Sequence, residues 1–476
     1  MSEYTIKEYK DWLLSQTDDA YELIYDEEKN RIRFLTEYAE GAAALHEDLG
    51  IVELTITTLA DSQTMFYLHF EPNDPEHAEG LFREMKETLL TINEKHGVRI
   101  LLTCSCGLTT GFFAEQLQAA AEALSLDYTF NAVSFPTIYE KAFDYDVILL
   151  APQIQYEHKK LASVLTDKII LDIPATAFAQ YKPAVVIDLI TNALKEKKES
   201  APAETPVQPL SINMVSDNDK VILSVGMLDD HNVVRVSYRI YDHGKITVDD
   251  QVVKKTISEE DLNDLLNYVL KKHEEVEMIG IAMPGIAYHG QVYSSLYGFD
   301  HVNLADNLRK KYGKQIVIVN DINALALGYY SMHDDGKDLV FYYLPRGNSF
   351  GGSGIVMNGK IQMGYLNMAG DHIGQLTGRF VDDAEKKSET PEGCVEIIAT
   401  ALYAYMCTIA PERLVVYSEL LADIEDVREE LKKLLPEEYI PEMIRVLSLK
   451  EYLLNGIMMR CMKALQSKDW LEVNQK

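Results

Sequence analysis

Residues 100–110 read Ile-Leu-Leu-Thr-Cys-Ser-Cys-Gly-Leu-Thr-Thr, an apolar run followed by a short polar connection. The residues that follow repeat apolar side chains at helical spacing. We therefore predict a strand over 100–102, a helix that begins near Gly111, and Cys104 at the start of the turn between them. Such a turn directs backbone N–H groups and the positive end of the helix dipole at one point, which suits a bound anion.

The same field favours a thiolate, which is the nucleophilic form of cysteine. Cys104 is therefore the candidate catalytic residue, a phosphoryl acceptor. The candidate phosphate-binding residues are those of the connection itself: Ser105, Cys106, Gly107, Leu108, Thr109 and Thr110. Two alternatives stay open. Cys104 could be a small buried side chain, or Cys104 and Cys106 could be half of a metal site, although no second close-spaced Cys or His pair completes one. We expect no metal and no cofactor.

The order of apolar runs predicts the domain organisation. Runs at 100–102, 128–133, 147–150 and 168–171 alternate with helical stretches, a rhythm typical of βαβ units and a parallel sheet covered on both faces. Ligands bind such sheets at the carboxyl ends of the strands, where Cys104 lies. Residues 1–97 read as a small α+β domain of unknown role, with a hairpin and a helix starting at Pro75. Residues 195–210 read as a charged, proline-rich linker, and 211–476 as a further α/β domain.

Composition limits the partners and the compartment. The chain has 476 residues with 45 basic and 75 acidic side chains, a net charge of −30 that argues against nucleic acid as a partner. The N-terminus lacks an apolar signal core, no run approaches the ~18 apolar residues of a membrane span, and five cysteines fit a reducing cytoplasm. We therefore expect a cytoplasmic protein. Residues 423–463 read as amphipathic helices that complete the fold or form the face of a homo-oligomer.

Residues 98–194 resemble the lactose/cellobiose-type enzyme IIB of the bacterial sugar phosphotransferase system. The resemblance rests on residues 100–110 and on Asp146-Val-Ile-Leu-Leu-Ala-Pro-Gln-Ile-Gln-Tyr156, at the correct distance. It implies a flavodoxin-like parallel sheet. It also implies that Cys104 carries a phosphoryl group from the phosphohistidine of a IIA-type protein, with a IIC membrane permease as a further partner. Two positions depart from the family: Cys106 replaces a small residue, and Gln155 stands where a basic residue is common.

Residues 211–476 resemble the ROK family of sugar kinases and sugar-responsive regulators. Four motifs carry the resemblance: Gly280-Ile-Ala-Met-Pro-Gly285, Val319-Asn-Asp-Ile-Asn-Ala324, the glycine-rich stretch 347–359, and Met368-Ala-Gly-Asp371. The resemblance implies an actin-like ATPase-type α/β fold and a small sugar ligand, bound by Asn320, Asp321 and Asp371. It also implies that Asp321 removes a proton from a sugar hydroxyl. The alternative is that the Asn-Asp pair only caps a helix.

Three departures from the ROK pattern argue against a kinase. The first nucleotide turn of the family, Asp-x-Gly-Gly-Thr, is replaced by Ser-Val-Gly-Met-Leu at 224–228, and a later turn by Val-Val-Tyr-Ser-Glu at 415–419. Kinases need such turns because their N–H groups hold the ATP phosphates. The structural zinc motif of the family is reduced to Cys394 and His372, two of about four ligands. The N-terminal helix-turn-helix of the DNA-binding relatives is also absent from the sequence.

The sequence thus leaves three functions. The first is a phosphotransferase-system component that transfers a phosphoryl group through Cys104 and carries an appended sugar-sensing domain. The second is a non-catalytic regulator that senses the sugar and the phosphorylation state. The third, disfavoured by the altered nucleotide turns, is an ATP-dependent sugar kinase fused to a IIB-like domain.

Overall fold

The computed structural model describes residues 4–59, 62–94, 98–105, 108–124, 126–200, 220–230, 233–288, 291–294, 299–333, 335–370 and 380–466. These residues form an N-terminal unit (4–94), a cysteine unit (98–200) and a C-terminal unit (220–466). Within the described ranges, no helix combines the length and the apolar character that a membrane crossing requires.

The N-terminal unit is an antiparallel meander with two helices, in agreement with the predicted hairpin and the helix that starts at Pro75. Its elements are α1 (Ile6–Leu14), β1 (Glu22–Asp26), β2 (Arg31–Leu35), β3 (Ala39–His46), β4 (Ile51–Thr58), β5 (Thr64–Phe70) and α2 (Pro75–Glu94). Thr5 and Glu8 form a capping box that starts α1. The strands pair in sequence order, from β1 to β5.

The cysteine unit has the predicted parallel sheet, in the order β7-β6-β8-β9. Its elements are β6 (Val98–Cys104), α3 (Leu108–Ala123), β7 (Tyr128–Ser134), α4 (Ile138–Lys141), β8 (Val147–Leu150), α5 (His158–Val164), β9 (Ile169–Asp172), α6 (Ala175–Ala179) and α7 (Pro183–Ser200). All four residues of the central strand β8 are buried, as expected for a sheet covered on both faces.

Two boundaries differ from the sequence predictions. Helix α3 begins at Leu108, three residues before Gly111. Helix α7 continues to Ser200, so residues 195–200 of the predicted linker are helical. The reason is that Lys and Glu are good helix formers, and a helix started at Pro183 propagates through them at little cost. The remainder of that segment, 201–210, lies outside the described residues.

The C-terminal unit consists of two halves, each built on a sheet. The first half contains β10 (Val221–Asp230), β11 (Val233–Asp242), β12 (Lys245–Lys254), α8 (Glu259–Lys272), β13 (Met278–Met283), β14 (Ile286–Tyr288), β15 (Gln291–Ser294), β16 (Phe299–Val302), α9 (Leu304–Tyr312), β17 (Gln315–Asn320) and α10 (Asp321–His333). The second contains β18 (Leu339–Tyr343), β19 (Gly352–Met357), β20 (Lys360–Ile361), α11 (Ala384–Lys387), α12 (Pro391–Thr408), β21 (Arg413–Tyr417), α13 (Ile424–Lys432), β22 (Glu442–Arg445) and α14 (Lys450–Gln466).

Residues 423–463 are not simply amphipathic helices. Strand β22 lies between α13 and α14 and pairs with β21. Helix α14 is largely buried and crosses α10 so closely that a Cβ at Gly328 would lie 1.8 Å from the Tyr452 carbonyl oxygen. This stretch therefore completes the fold, since it contributes both a strand and a core helix.

The N-terminal strands continue the sheet of the C-terminal unit. Tyr67 in β5 pairs with Val253 in β12, which gives one ten-stranded sheet in the order β1-β2-β3-β4-β5-β12-β11-β10-β13-β17. Ion pairs reinforce this junction: the buried Lys254 contacts Glu84 of α2 at 2.9 Å and also contacts Asp261 of α8. The N-terminal unit is thus anchored to the C-terminal unit by backbone pairing and by charge.

Candidate functional site

Cys104 is the last residue of β6, and helix α3 begins four residues later. Its Sγ lies 3.4 Å from the Oγ1 of Thr110 in the first turn of that helix, and either atom can be the donor. Only 4% of Cys104 is exposed and Thr110 is fully buried, so this contact is shielded from water. The structure therefore places the predicted thiol at a carboxyl strand end and gives it a hydroxyl neighbour, in a site that is closed.

The rest of the predicted phosphate loop is only partly described. Ser105 is exposed directly after Cys104. Cys106 and Gly107 lie outside the described residues, and Leu108 and Thr109 open α3 with side chains that are likewise outside the description. The first turn of α3 contains no acidic residue, so the positive end of its dipole is not neutralised there. Phosphate binding by residues 105–110 stays a prediction.

Gln155, which replaces the common basic residue, has another role. Its Nε2 donates to the Ile173 carbonyl oxygen at 2.8 Å and so links the segments that follow β8 and β9. Its amide is therefore used within the fold.

Asn320 and Asp321 stand at the junction of β17 and α10, and the structure gives them different roles. Asn320 Oδ1 accepts from the backbone N–H of Asn323 at 3.0 Å, which caps α10. Its Nδ2 donates to the carbonyl oxygen of Gly285, also at 3.0 Å. The helix cap that the sequence left open as an alternative is thus provided by Asn320.

Asp321 is 4% exposed, and burial raises the pKa of its carboxyl group to about 7. Hydrogen bonds from the backbone N–H groups of Asp321 and Ile322 oppose this rise. A carboxyl group that titrates near neutral pH can accept a proton from a bound hydroxyl and then hold it. A general base requires a pKa in this range.

Asp371 and His372 lie outside the described residues. The residue before them, Gly370, has a φ of +91°, and its carbonyl oxygen accepts from Ser353 Oγ at 3.0 Å and from Tyr405 at 3.4 Å. A Cβ at Gly370 would lie 2.2 Å from the Ser353 carbonyl oxygen. Ser353 lies within the glycine-rich motif 347–359, whereas Tyr405 belongs to none of the sequence motifs.

The two altered nucleotide turns adopt different structures. Residues 224–228 lie inside β10, whose pairing with β11 continues without a register shift from Val221 to Asp230. Because the residues of a ladder direct their backbone N–H groups at the neighbouring strands, they do not form a turn around a phosphate. A Cβ at Gly226 would meet Leu453 of α14 at 2.5 Å, which shows that this glycine serves helix packing. Glu419 places a carboxylate just after β21.

Cys394 is buried in α12, and its thiol donates to the Ser388 carbonyl oxygen at 3.6 Å. Burial raises the pKa of this thiol to about 12, so it is protonated at neutral pH. No group of three or more metal-ligating side chains occurs within the described ranges.

Two family models match separate segments of the chain. Residues 99–208 match the family model for the PTS system lactose/cellobiose specific IIB subunit. Residues 230–430 match that of the ROK family. The chain joins a IIB-type domain to a ROK-type domain. The cysteine unit is hereafter the IIB-type domain, and the C-terminal unit the ROK-type domain.

Individual relatives cover one domain or the other. The N-acetyl-D-glucosamine kinase of Haemophilus influenzae is 32% identical over 131 residues, which are 26% of this chain and 41% of that kinase. The chain thus spans about two fifths of the length of this relative. The ROK family glucokinase of Streptomyces griseus, solved with glucose and AMPPNP, is 16% identical with a TM-score of 0.38 and covers 50% of this chain and 99% of its own. The cellobiose-specific IIB component of Borrelia burgdorferi is 25% identical with a TM-score of 0.20, covering 21% and 95%.

Proposed function

We propose that the protein is a phosphotransferase-system component in which Cys104 accepts a phosphoryl group from the phosphohistidine of a IIA-type protein. The observation that carries this proposal is the position of the thiol, at a carboxyl strand end, before a helix N-terminus and 3.4 Å from the Thr110 hydroxyl. The ROK-type domain binds a small sugar through Asn320 and Asp321, and so couples sugar uptake or its regulation to the state of Cys104.

The transfer balances without a further reactant. The Cys104 sulfur attacks phosphorus, the S–P bond forms and the P–N bond to histidine breaks. The thiol proton passes to the released imidazole nitrogen, directly or through solvent. The Thr110 hydroxyl can accept from the thiol before transfer and donate to the sulfur as it gains charge. In onward transfer, the S–P bond breaks, an O–P bond forms on a sugar hydroxyl, and the hydroxyl proton returns to sulfur.

Access to the thiol imposes a condition on the donor. Because only 4% of Cys104 is exposed, a phosphohistidine can reach the sulfur only after a local rearrangement on docking. The exposed Cys407 offers an internal comparison. In limited alkylation followed by mass spectrometry, we expect Cys407 to react first and Cys104 to react faster when the IIA protein is present.

The direct test is phosphorylation in solution. Incubated with phosphoenolpyruvate and the general and IIA phosphotransfer proteins, the full chain should gain the mass of one phosphoryl group, and Cys104→Ser should gain none. Cys407→Ser is the matched control and should behave as the wild type. A wild type that gains no mass, or a Cys104→Ser variant that still does, would refute the proposal.

A second experiment separates a carrier from a sensor. When vesicles containing the IIC permease and a sugar are added, a carrier loses its phosphoryl group to the sugar, whereas a non-catalytic regulator retains it. This distinction matters because both functions require a phosphorylated Cys104.

An ATP-dependent sugar kinase is the other candidate, favoured by the buried Asp321 with its pKa of about 7. The continuous β10–β11 ladder argues against it because its N–H groups are directed at neighbouring strands, and the Glu419 carboxylate argues against it because its negative charge would repel a phosphate. Calorimetry with N-acetyl-D-glucosamine, the sugar in the name of the Haemophilus relative, and with glucose should show binding that Asp321→Ala abolishes. Binding of ATP, or sugar phosphorylation with ATP, would favour the kinase.

A further inference from the structure

The IIB-type domain packs on the ROK-type domain around Arg346. The Arg346 guanidinium donates to the carbonyl oxygens of Tyr139 at 2.9 Å and Glu140 at 3.4 Å, in the short helix α4. Its Cζ lies 3.5 Å from the centre of the Phe143 ring. The last carbonyl groups of a helix lack intrahelical partners and attract a cation. Arg346 supplies α4 with both N–H donors and a positive charge at that end. Lys160 and Glu392 form a second contact between the domains.

A short path leads from this contact to Cys104. Cys104 is paired across the sheet with Ser134, the last residue of β7. From Ser134 the chain runs through Thr137, whose Oγ1 donates to the Ser134 carbonyl oxygen at 3.0 Å, directly into α4. The carbonyl groups that Arg346 holds thus lie five and six residues beyond the strand partner of the thiol.

A second path leads from Arg346 to Asp321. Arg346 lies in the connection that leads from β18 to β19, and β19 itself packs on the first turns of α10. A Cβ at Gly352 would lie 2.3 Å from Cδ1 of Ile322, and one at Gly354 would lie 2.5 Å from the Ile322 carbonyl oxygen. Ile322 follows Asp321 directly, so a displacement that the connection passes to β19 would reach the candidate sugar site.

We propose that the Arg346 contact couples the two sites, so that phosphorylation of Cys104 changes the ROK-type site at Asp321 and a ligand at that site changes the reactivity of Cys104. This inference rests on the proposed function. A phosphoryl group adds about two negative charges and three oxygens at a residue that is 4% exposed, so the groups around the thiol must rearrange, and the coupling requires that this rearrangement reach Ser134, the strand partner of Cys104. Arg346 holds the segment that begins at Ser134, and linkage makes the effect reciprocal.

Hydrogen exchange of the full chain tests the coupling. We expect phosphorylation of Cys104 to change exchange at least threefold in residues 321–333 and 347–357 of the wild type. In Arg346→Ala, the response within 108–123 should remain and the response in the ROK-type domain should be lost. Phe143→Leu, which removes the ring from the opposite side of the contact, should reduce the response as well and serves if Arg346→Ala does not fold.

Two further variants separate the outcomes. Lys433→Ala is the control: it removes a cation that is 67% exposed and paired with Glu430. In this variant, phosphorylation of Cys104 should change hydrogen exchange in the ROK-type domain as it does in the wild type. Cys104→Asp places an anion in the site without phosphotransfer. A chain that accepts no phosphoryl group refutes the proposed function, and Cys104→Asp then decides the coupling alone. Coupling is refuted if neither form changes the ROK-type domain, or if Arg346→Ala transmits the change in full.

Discussion

Replacing Asp321 with asparagine should make the ROK-type domain more stable at alkaline pH. Burial raises the pKa of this carboxyl group from its ordinary 3.8 to about 7 in the folded chain. A raised pKa means that the folded state binds the proton more tightly than the unfolded state does. The stability that this proton confers is present below about pH 4 and is lost as the pH rises through 7.

The magnitude follows from the two values. At about 1.4 kcal/mol per pH unit, ionising Asp321 in the folded chain costs about 4 kcal/mol more than in the unfolded chain. Local relaxation and entry of water reduce this cost. We therefore expect the difference in unfolding free energy between Asp321→Asn and the wild type to be about 2–4 kcal/mol larger at pH 8 than at pH 4, in favour of the variant. Asparagine keeps the shape of the side chain but has no charge to bury.

The assay must report on this domain alone, because a multidomain chain does not unfold in a single step. Hydrogen exchange of the peptide 315–333 over a urea series at pH 4, 6 and 8 provides that. Asp382→Asn, at an exposed position of the same domain, is the control and should follow the wild type at every pH. If the wild type and Asp321→Asn show the same pH dependence, the carboxylate is not held in the environment described and the reasoning fails.

Three further predictions follow from buried groups. Burial lowers the pKa of His69 to about 3, and neither ring nitrogen has a hydrogen-bond partner among the described residues. Because the unfolded chain binds a proton at this histidine at pH 5 and the folded chain does not, His69→Leu should raise the urea midpoint more at pH 5 than at pH 8. An equal gain at both pH values would contradict this. Gly328→Ala should destabilise the ROK-type domain by at least about 2 kcal/mol because α14 leaves no room for a methyl group, whereas Gly80→Ala, with open space, should be neutral or stabilising in thermal unfolding. In timed alkylation without partner proteins, Cys104 should react at least tenfold more slowly than the exposed Cys407, and equal rates would show that the site is open.

Much of the fold is predictable from local sequence. The four parallel strands of the IIB-type domain and the position of Cys104 at a strand end follow from apolar runs and their alternation with helices. The predictions for the linker and for the C-terminal stretch were less accurate. Helix α7 continues through residues 195–200 of the predicted linker, and β22 is too short to produce a clear period in the sequence. The candidate ROK-type residues came from motif resemblance, not from periodicity.

The amino-acid sequence by itself determined which segments become strands and helices, because side-chain periodicity is a local property. Only the tertiary structure decided that β5 pairs with β12, since every strand offers the same backbone groups and the pattern does not name the neighbour. It also decided that the Asn320 side chain donates to the Gly285 carbonyl oxygen, and that Arg346 joins the two domains. These outcomes depend on burial and on partners far away in the chain, which no local pattern contains.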